Sequence, residues 1–103
     1  MDCHIFDIDG TVFKYHTNEW IDGAKEYIIK LSKQGSNIIF ITMRGEHDNG
    51  KEWSIDRTKQ TLVKELNKLG IKFEIIFGVK SPRIIHDDNH CYFDSRKTNQ
   101  KWN

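Results

Sequence analysis

Short apolar runs alternate with stretches of helical periodicity along this chain, and that alternation leaves few folds open. Cys3 to Ile8 is a short, mainly apolar run closed by Asp-Gly, which reads as a buried strand. Ala24, Tyr27, Ile28 and Leu31 then recur at i, i+3, i+4 and i+7, the stripe of an amphipathic helix. Asp22 is placed to cap that helix and Gly35 to end it. Ile38-Ile39-Phe40-Ile41 is the most strand-like stretch. Leu62, Val63, Leu66 and Leu69 mark a second helix, predicted to start near Asp56 and to stop at Gly70. Phe73 to Phe77 reads as a third strand and Arg83 to His86 as a fourth. Strand, helix, strand, helix, strand, strand predicts an α/β fold: a compact, Rossmann-like, mainly parallel sheet flanked by helices.

The chain of 103 residues has room for one such domain, 1–103, with 89–103 read as a C-terminal tail. A 37% share of hydrophobic residues excludes disorder by composition. No apolar run approaches the roughly 18 residues of a membrane helix. Asp2 and His4 directly after Met1 do not read as a signal peptide. Two cysteines, Cys3 and Cys91, are too few for a disulfide scaffold. A soluble, cytoplasmic protein without a membrane partner is the expectation. The net charge of +1 disfavours nucleic acid as a partner, and the basic tail residues Arg96, Lys97 and Lys101 read as a solvated end.

In open parallel sheets ligands sit at the carboxyl ends of the strands. After the first strand comes Asp7-Ile8-Asp9-Gly10-Thr11-Val12. Strand alternation sends Asp7 and Asp9 to the same side, and Gly10 permits the sharp turn away from the sheet. Thr42 and Arg44 follow the second strand, Lys80 the third, and Asp87 with Asp88 the fourth.

This ordered set resembles the haloacid dehalogenase superfamily of phosphotransferases. Its four motifs are DxDGT[LV], a Thr or Ser closing the second strand, a Lys or Arg, and a final acidic pair. The resemblance spans about residues 3 to 88 and implies a phosphatase working through an aspartyl-phosphate on a small phosphomonoester, such as a sugar phosphate or a nucleotide. It implies Asp7 as nucleophile and Asp9 as general acid and base, with Thr42 and Lys80 on the phosphoryl oxygens. Gly10 and Thr11 belong to the same substrate-facing loop. It implies Mg²⁺ as cofactor, held by Asp7, the backbone carbonyl of Asp9, and Asp87 or Asp88; a hard cation of that kind takes oxygen ligands. Arg83 is close enough to Lys80 to replace it. A carboxylate at position 9, where related transport ATPases carry Thr, favours turnover over storage of the phospho-enzyme.

Only about a dozen residues separate Thr11 from the first helix, and about as many separate Thr42 from the second. Neither segment holds a folded cap, so a capless domain is expected, its open site covered at most by an oligomer partner. Arg44 to Trp53 is the expected substrate loop, with Arg44 clamping a second anionic group. Three other readings compete, the last a binding-only relic of the enzyme. A polynucleotide end-phosphatase fits a capless site, and a receiver-type phospho-acceptor uses similar residues but in another order along the chain. His86, His90 and Cys91 match no zinc spacing. Trp20, Trp53 and Trp102 read as packing or rim residues.

One distance sets the fourth strand apart. The resemblance implies a last strand on the far side of the first, and to lie parallel there the chain must cover about 14 Å sideways and a strand's length back, roughly 20 Å in all. The five residues 78–82 reach about that far only at full stretch. Either the third strand is short or the sheet is arranged differently.

Overall fold

The computed structural model describes residues 2–45 and 51–94. Three parallel strands form its sheet: β1 (Cys3–Asp7), β2 (Asn37–Ile41) and β3 (Glu74–Ile76), in that order. Cys3 pairs with Asn37 and Asp7 with Ile41, while Ile39 to Ile41 pair with Glu74 to Ile76. The three strands therefore end along one edge, where the polar residues that follow them emerge.

Helix α1 (Ala24–Lys33) connects β1 to β2. Its start is capped by geometry rather than by Asp22. Gly23, at φ 88°, turns the chain so that the amide of Ala24 donates to the carbonyl of Ile21 at 3.0 Å, and no side chain caps the helix. Gly35, at φ 82°, closes the far end as expected. The second connection begins at Lys51 rather than near Asp56, because its first turn carries no apolar stripe to betray it. It runs as α2 (Lys51–Thr58), a π-helical turn over Lys59–Val63, and α3 (Lys64–Lys68).

Strand alternation decides what is buried. Phe6, Ile38 and Phe40 point to one face, where they pack with Ile28 and Leu31 of α1 and with Leu62 and Leu66 of the second connection. Both helices thus cover the same face, as right-handed crossovers must when the strands add in one direction. On the other face Ile5 and Ile76 remain 46% and 50% exposed. His4, in the edge strand β1, is half-buried, with Phe6 stacked on it at 6.4 Å and Tyr27 edge-on at 6.3 Å.

The fourth strand does not join this sheet. β4 (Ile84–Asp87) pairs antiparallel with β5 (His90–Asp94), a strand formed by residues that read from sequence as the start of a tail. Although β3 has only three residues, so that residues 77–83 form the connection, the chain after it closes a local hairpin instead of crossing the sheet. Asp88 and Asn89, at φ 49° and 67°, form the hairpin turn.

Candidate active site

Directly beyond β1 the chain coils on itself. The carbonyl of Ile8 accepts the amides of Thr11, Val12 and Phe13 at 3.2, 2.9 and 3.0 Å, and Gly10, at φ 84°, donates to the carbonyl of Phe13 at 2.8 Å. Ile8, Val12 and Phe13 are fully buried, so this loop is anchored in the core while Asp7 and Asp9 stay at the edge. A small antiparallel excursion follows. Phe13 pairs with Trp20, Lys14 donates to the carbonyl of Glu19 at 2.8 Å, and Ile21 donates to that of Val12 at 2.8 Å. Trp20 packs edge-on against Phe13 at 4.9 Å and donates its indole N–H to Glu65 Oε2 at 2.7 Å. It is a packing residue, as expected, and it fastens the excursion to α3.

Each carboxylate is held by its own arginine. Arg83 Nη1 donates to Asp7 Oδ1 at 2.8 Å, and Arg83 Nη2 donates to the carbonyl of Val79 at 2.8 Å. The cation at Asp7 is therefore Arg83, the residue close enough to Lys80 to replace it; Lys80 lies exposed in the loop after β3. Burial pushes the Asp7 carboxyl above its usual range, against the opposing pull of the Arg83 charge and hydrogen bond. The neighbouring Asp9 adds a smaller push in the same upward direction.

Arg44 takes Asp9 in a two-pronged grip: Nε donates to Oδ2 at 3.0 Å and Nη2 to Oδ1 at 2.8 Å. Its Nη1 donates to Asn18 Oδ1 at 3.1 Å and to Thr58 Oγ1 at 2.8 Å, and Nη2 also donates to the carbonyl of Thr17 at 3.0 Å. The guanidinium lies over the Phe13 ring, 5.6 Å from its centroid. A guanidinium has five N–H donors, and here all five are engaged. Arg44 is thus not arranged as the open anion clamp expected of it; the protein itself supplies every acceptor.

Thr42 is fully buried, and its hydroxyl accepts the Arg44 amide at 3.0 Å. The loops after β2 and β3 are laced together: Val79 donates to the carbonyl of Thr42 at 2.8 Å and Gly78 to that of Arg44 at 2.9 Å. Gly45, at φ 87°, sits where a Cβ would come within 3.3 Å of Ile55 and Phe77 side chains, so the loop turns there by close approach.

Asp7, Asp9, Gly10, Thr11, Thr42 and Arg44 thus gather at the carboxyl edge. Asp87 and Asp88 do not join them. Arg83 at the hairpin's base reaches Asp7, but Asp87 and Asp88 stand at its exposed tip. Among the described residues no three His, Cys, Asp or Glu side chains come together to hold a metal ion, so neither Asp87 nor Asp88 stands beside Asp7 and Asp9 as the expected third ligand. Asn18 and Thr58 were not foreseen as site residues; Thr58 is fully buried, and no local sequence pattern marks it. Residues 46–50 of the expected substrate loop, the side chain of Trp53, and Arg96, Lys97, Lys101 and Trp102 lie outside the described residues.

A parallel α/β sheet carries Asp-x-Asp-Gly-Thr at the end of its first strand, and both its fold and a segment of its sequence are similar to known proteins. Over 41 residues, 40% of this chain, the sequence is 46% identical to the sugar-phosphatase AraL of Bacillus subtilis (strain 168), of which the match covers 14%. The crystal structure of D,D-heptose 1.7-bisphosphate phosphatase from B. bronchiseptica, complexed with magnesium and phosphate, matches with a TM-score of 0.61 at 16% sequence identity. That match covers 75% of this chain and 49% of the other, so the chain spans less than half of either protein's length. No family model matches the chain.

Proposed function

We propose that the protein is a magnesium-dependent phosphomonoesterase acting on a small phosphorylated metabolite, of the sugar-phosphate class, through an aspartyl-phosphate. The observation that carries this reading is the convergence of Asp7 and Asp9 at the carboxyl edge, each oriented by a separate arginine. Both similar proteins are phosphatases of phosphorylated sugars by name, which supports the substrate class.

The chemistry follows from the atoms present. Arg83 occupies Asp7 Oδ1, which leaves Oδ2 to attack phosphorus. As that bond forms, the bond from phosphorus to the ester oxygen breaks, and the departing oxygen takes a proton from Asp9. Water then attacks the aspartyl-phosphate and yields its proton to Asp9. The bond from phosphorus to Asp7 breaks, releasing inorganic phosphate and restoring both carboxyl groups. The Thr42 hydroxyl, accepting from the Arg44 amide, keeps its own proton to donate to a phosphoryl oxygen. Lys80 remains a second candidate cation for those oxygens.

A hard divalent cation takes one or two carboxylates, with water and phosphate oxygens completing its shell. The Asp7 carboxylate and the Asp9 carbonyl fit that requirement by donor type. Bound there, Mg²⁺ would supply charge neutralisation for the dianionic ester.

Hydrolysis of a generic aryl phosphate, with Mg²⁺ and with chelator, tests the proposal on wild type and Asp7→Asn. Metal-dependent turnover that disappears in Asp7→Asn is expected. Equal turnover in both proteins would remove Asp7 as nucleophile and the mechanism with it.

A further inference from the structure

Arg44 reaches into the site from the loop after β2, yet it touches nothing that a substrate would bring. Its five donors are distributed over four acceptor groups: both oxygens of Asp9, the Asn18 amide oxygen, the Thr17 carbonyl and the Thr58 hydroxyl. These lie on three separate pieces of chain, namely the loop after β1, the excursion between Phe13 and Trp20, and the last residue of α2. The side chains of Arg44 and Asp9 are 11% and 23% exposed, so the pair is screened from bulk water far better than a surface ion pair.

From this geometry we infer that Arg44 is a positioning residue for the phosphoryl-transfer chemistry, acting through Asp9 rather than on the substrate. The inference rests on the phosphatase reading above. A carboxyl group that must meet first a leaving oxygen and then a water has to hold one orientation through both steps. A two-pronged grip fixes the plane of the carboxylate as well as its position. A fork so gripping is fixed only if its own remaining donors are fixed, which is what Asn18, Thr17 and Thr58 do. Lysine in the same place keeps the charge but offers a single point of attachment, so it cannot set the carboxylate plane.

An anion clamp and a positioning residue predict opposite kinetics. For a clamp, Arg44→Ala raises KM and leaves kcat. For a positioning residue it lowers kcat by about 30- to 100-fold, the cost of a misplaced catalytic group, and holds KM within about threefold. Arg44→Lys is expected to recover little of that loss. Thr58→Val removes one acceptor and is expected to lower kcat several-fold in the same manner.

A double-mutant cycle on aryl phosphate hydrolysis separates these roles from a merely structural one. If Arg44 acts through Asp9, adding Arg44→Ala or Arg44→Lys to Asp9→Asn changes kcat by less than about twofold, because the group being positioned is already disabled. A merely structural role would make the losses multiply. Far-UV circular dichroism confirms that each variant is folded, and Arg44→Lys or Thr58→Val carries the cycle if Arg44→Ala does not fold. Multiplying losses, or a KM effect with unchanged kcat, overturns this inference while leaving the phosphatase reading standing. No metal-dependent turnover by the folded wild type overturns both.

Discussion

At the scale of single residues, the site is organised by two arginine–aspartate pairs of unequal chemical task. In the proposed mechanism Asp7 has to be ionised to attack phosphorus, yet burial opposes its ionisation, and Arg83 supplies the main counterweight. The direction of the net shift is upward from 3.8, so the acid limb of the pH–rate profile is expected above the range of an ordinary aspartate. Removing the cation leaves desolvation opposed only by the Ile8 backbone hydrogen bond. Arg83→Gln should therefore move the acid limb of kcat/KM further toward neutral pH and lower its plateau about tenfold or more. The sign carries over to stability. A carboxyl whose folded pKa is raised binds its proton more tightly in the folded state, so its contribution falls as pH rises from the unfolded value through the folded one. A limb that stays in place, or moves down, in Arg83→Gln would show that another group governs ionisation of the nucleophile.

Among the elements, what could be read in advance depended on how local its cause was. β1, α1 and β2 follow from apolar patterns that lie within one window of sequence, and they stand within a residue or two of expectation. The start of α2 lacks such a pattern and was misplaced. Pairing of β4 with β5 is decided by a partner strand whose strand-favouring residues, Tyr92 and Phe93, form too short a run to stand out from a tail; only the shortness of residues 78–82 hinted that the sheet would be arranged differently. The site divides in the same way. Asp7, Asp9 and Thr42 are legible because a strand end and a motif define them locally. Arg44's partners lie 35, 26 and 14 positions away in sequence, so its role emerges only on folding. The excursion from Phe13 to Trp20 belongs with these late arrivals. Tyr15, 68% exposed, places its ring beside Gly10 at the mouth of the site, where a Cβ on the glycine would lie 3.5 Å away. Tyr15→Ala is expected to raise KM about three- to tenfold with kcat unchanged, the signature of contact made equally in ground and transition states. A fall in kcat alone would place Tyr15 in the chemistry instead of at the rim.

For the molecule as a whole, the one-sided sheet concentrates stability in a single cluster. Every buried apolar side chain of β1 and β2 faces the helices, and the opposite face carries half-exposed isoleucines. The two faces should therefore respond differently to truncation. Phe40 is fully buried and meets Phe6 at 5.8 Å and Phe73 at 5.7 Å, so Phe40→Ala removes ring contacts from both neighbours and leaves a cavity beneath the helices. A loss of about 3–5 kcal/mol is expected, a large part of the roughly 5–15 kcal/mol available to a small domain. Ile5, on the adjacent strand and 46% exposed, already has much of its side chain in water. Ile5→Thr keeps the β-branch that suits a strand and should cost less than about 1 kcal/mol. Urea denaturation of both variants, read at constant slope, checks the contrast. Equal losses would mean that the face bearing Ile5 is as tightly packed as the helical face, and would move part of the core to the side of the sheet that these helices leave uncovered.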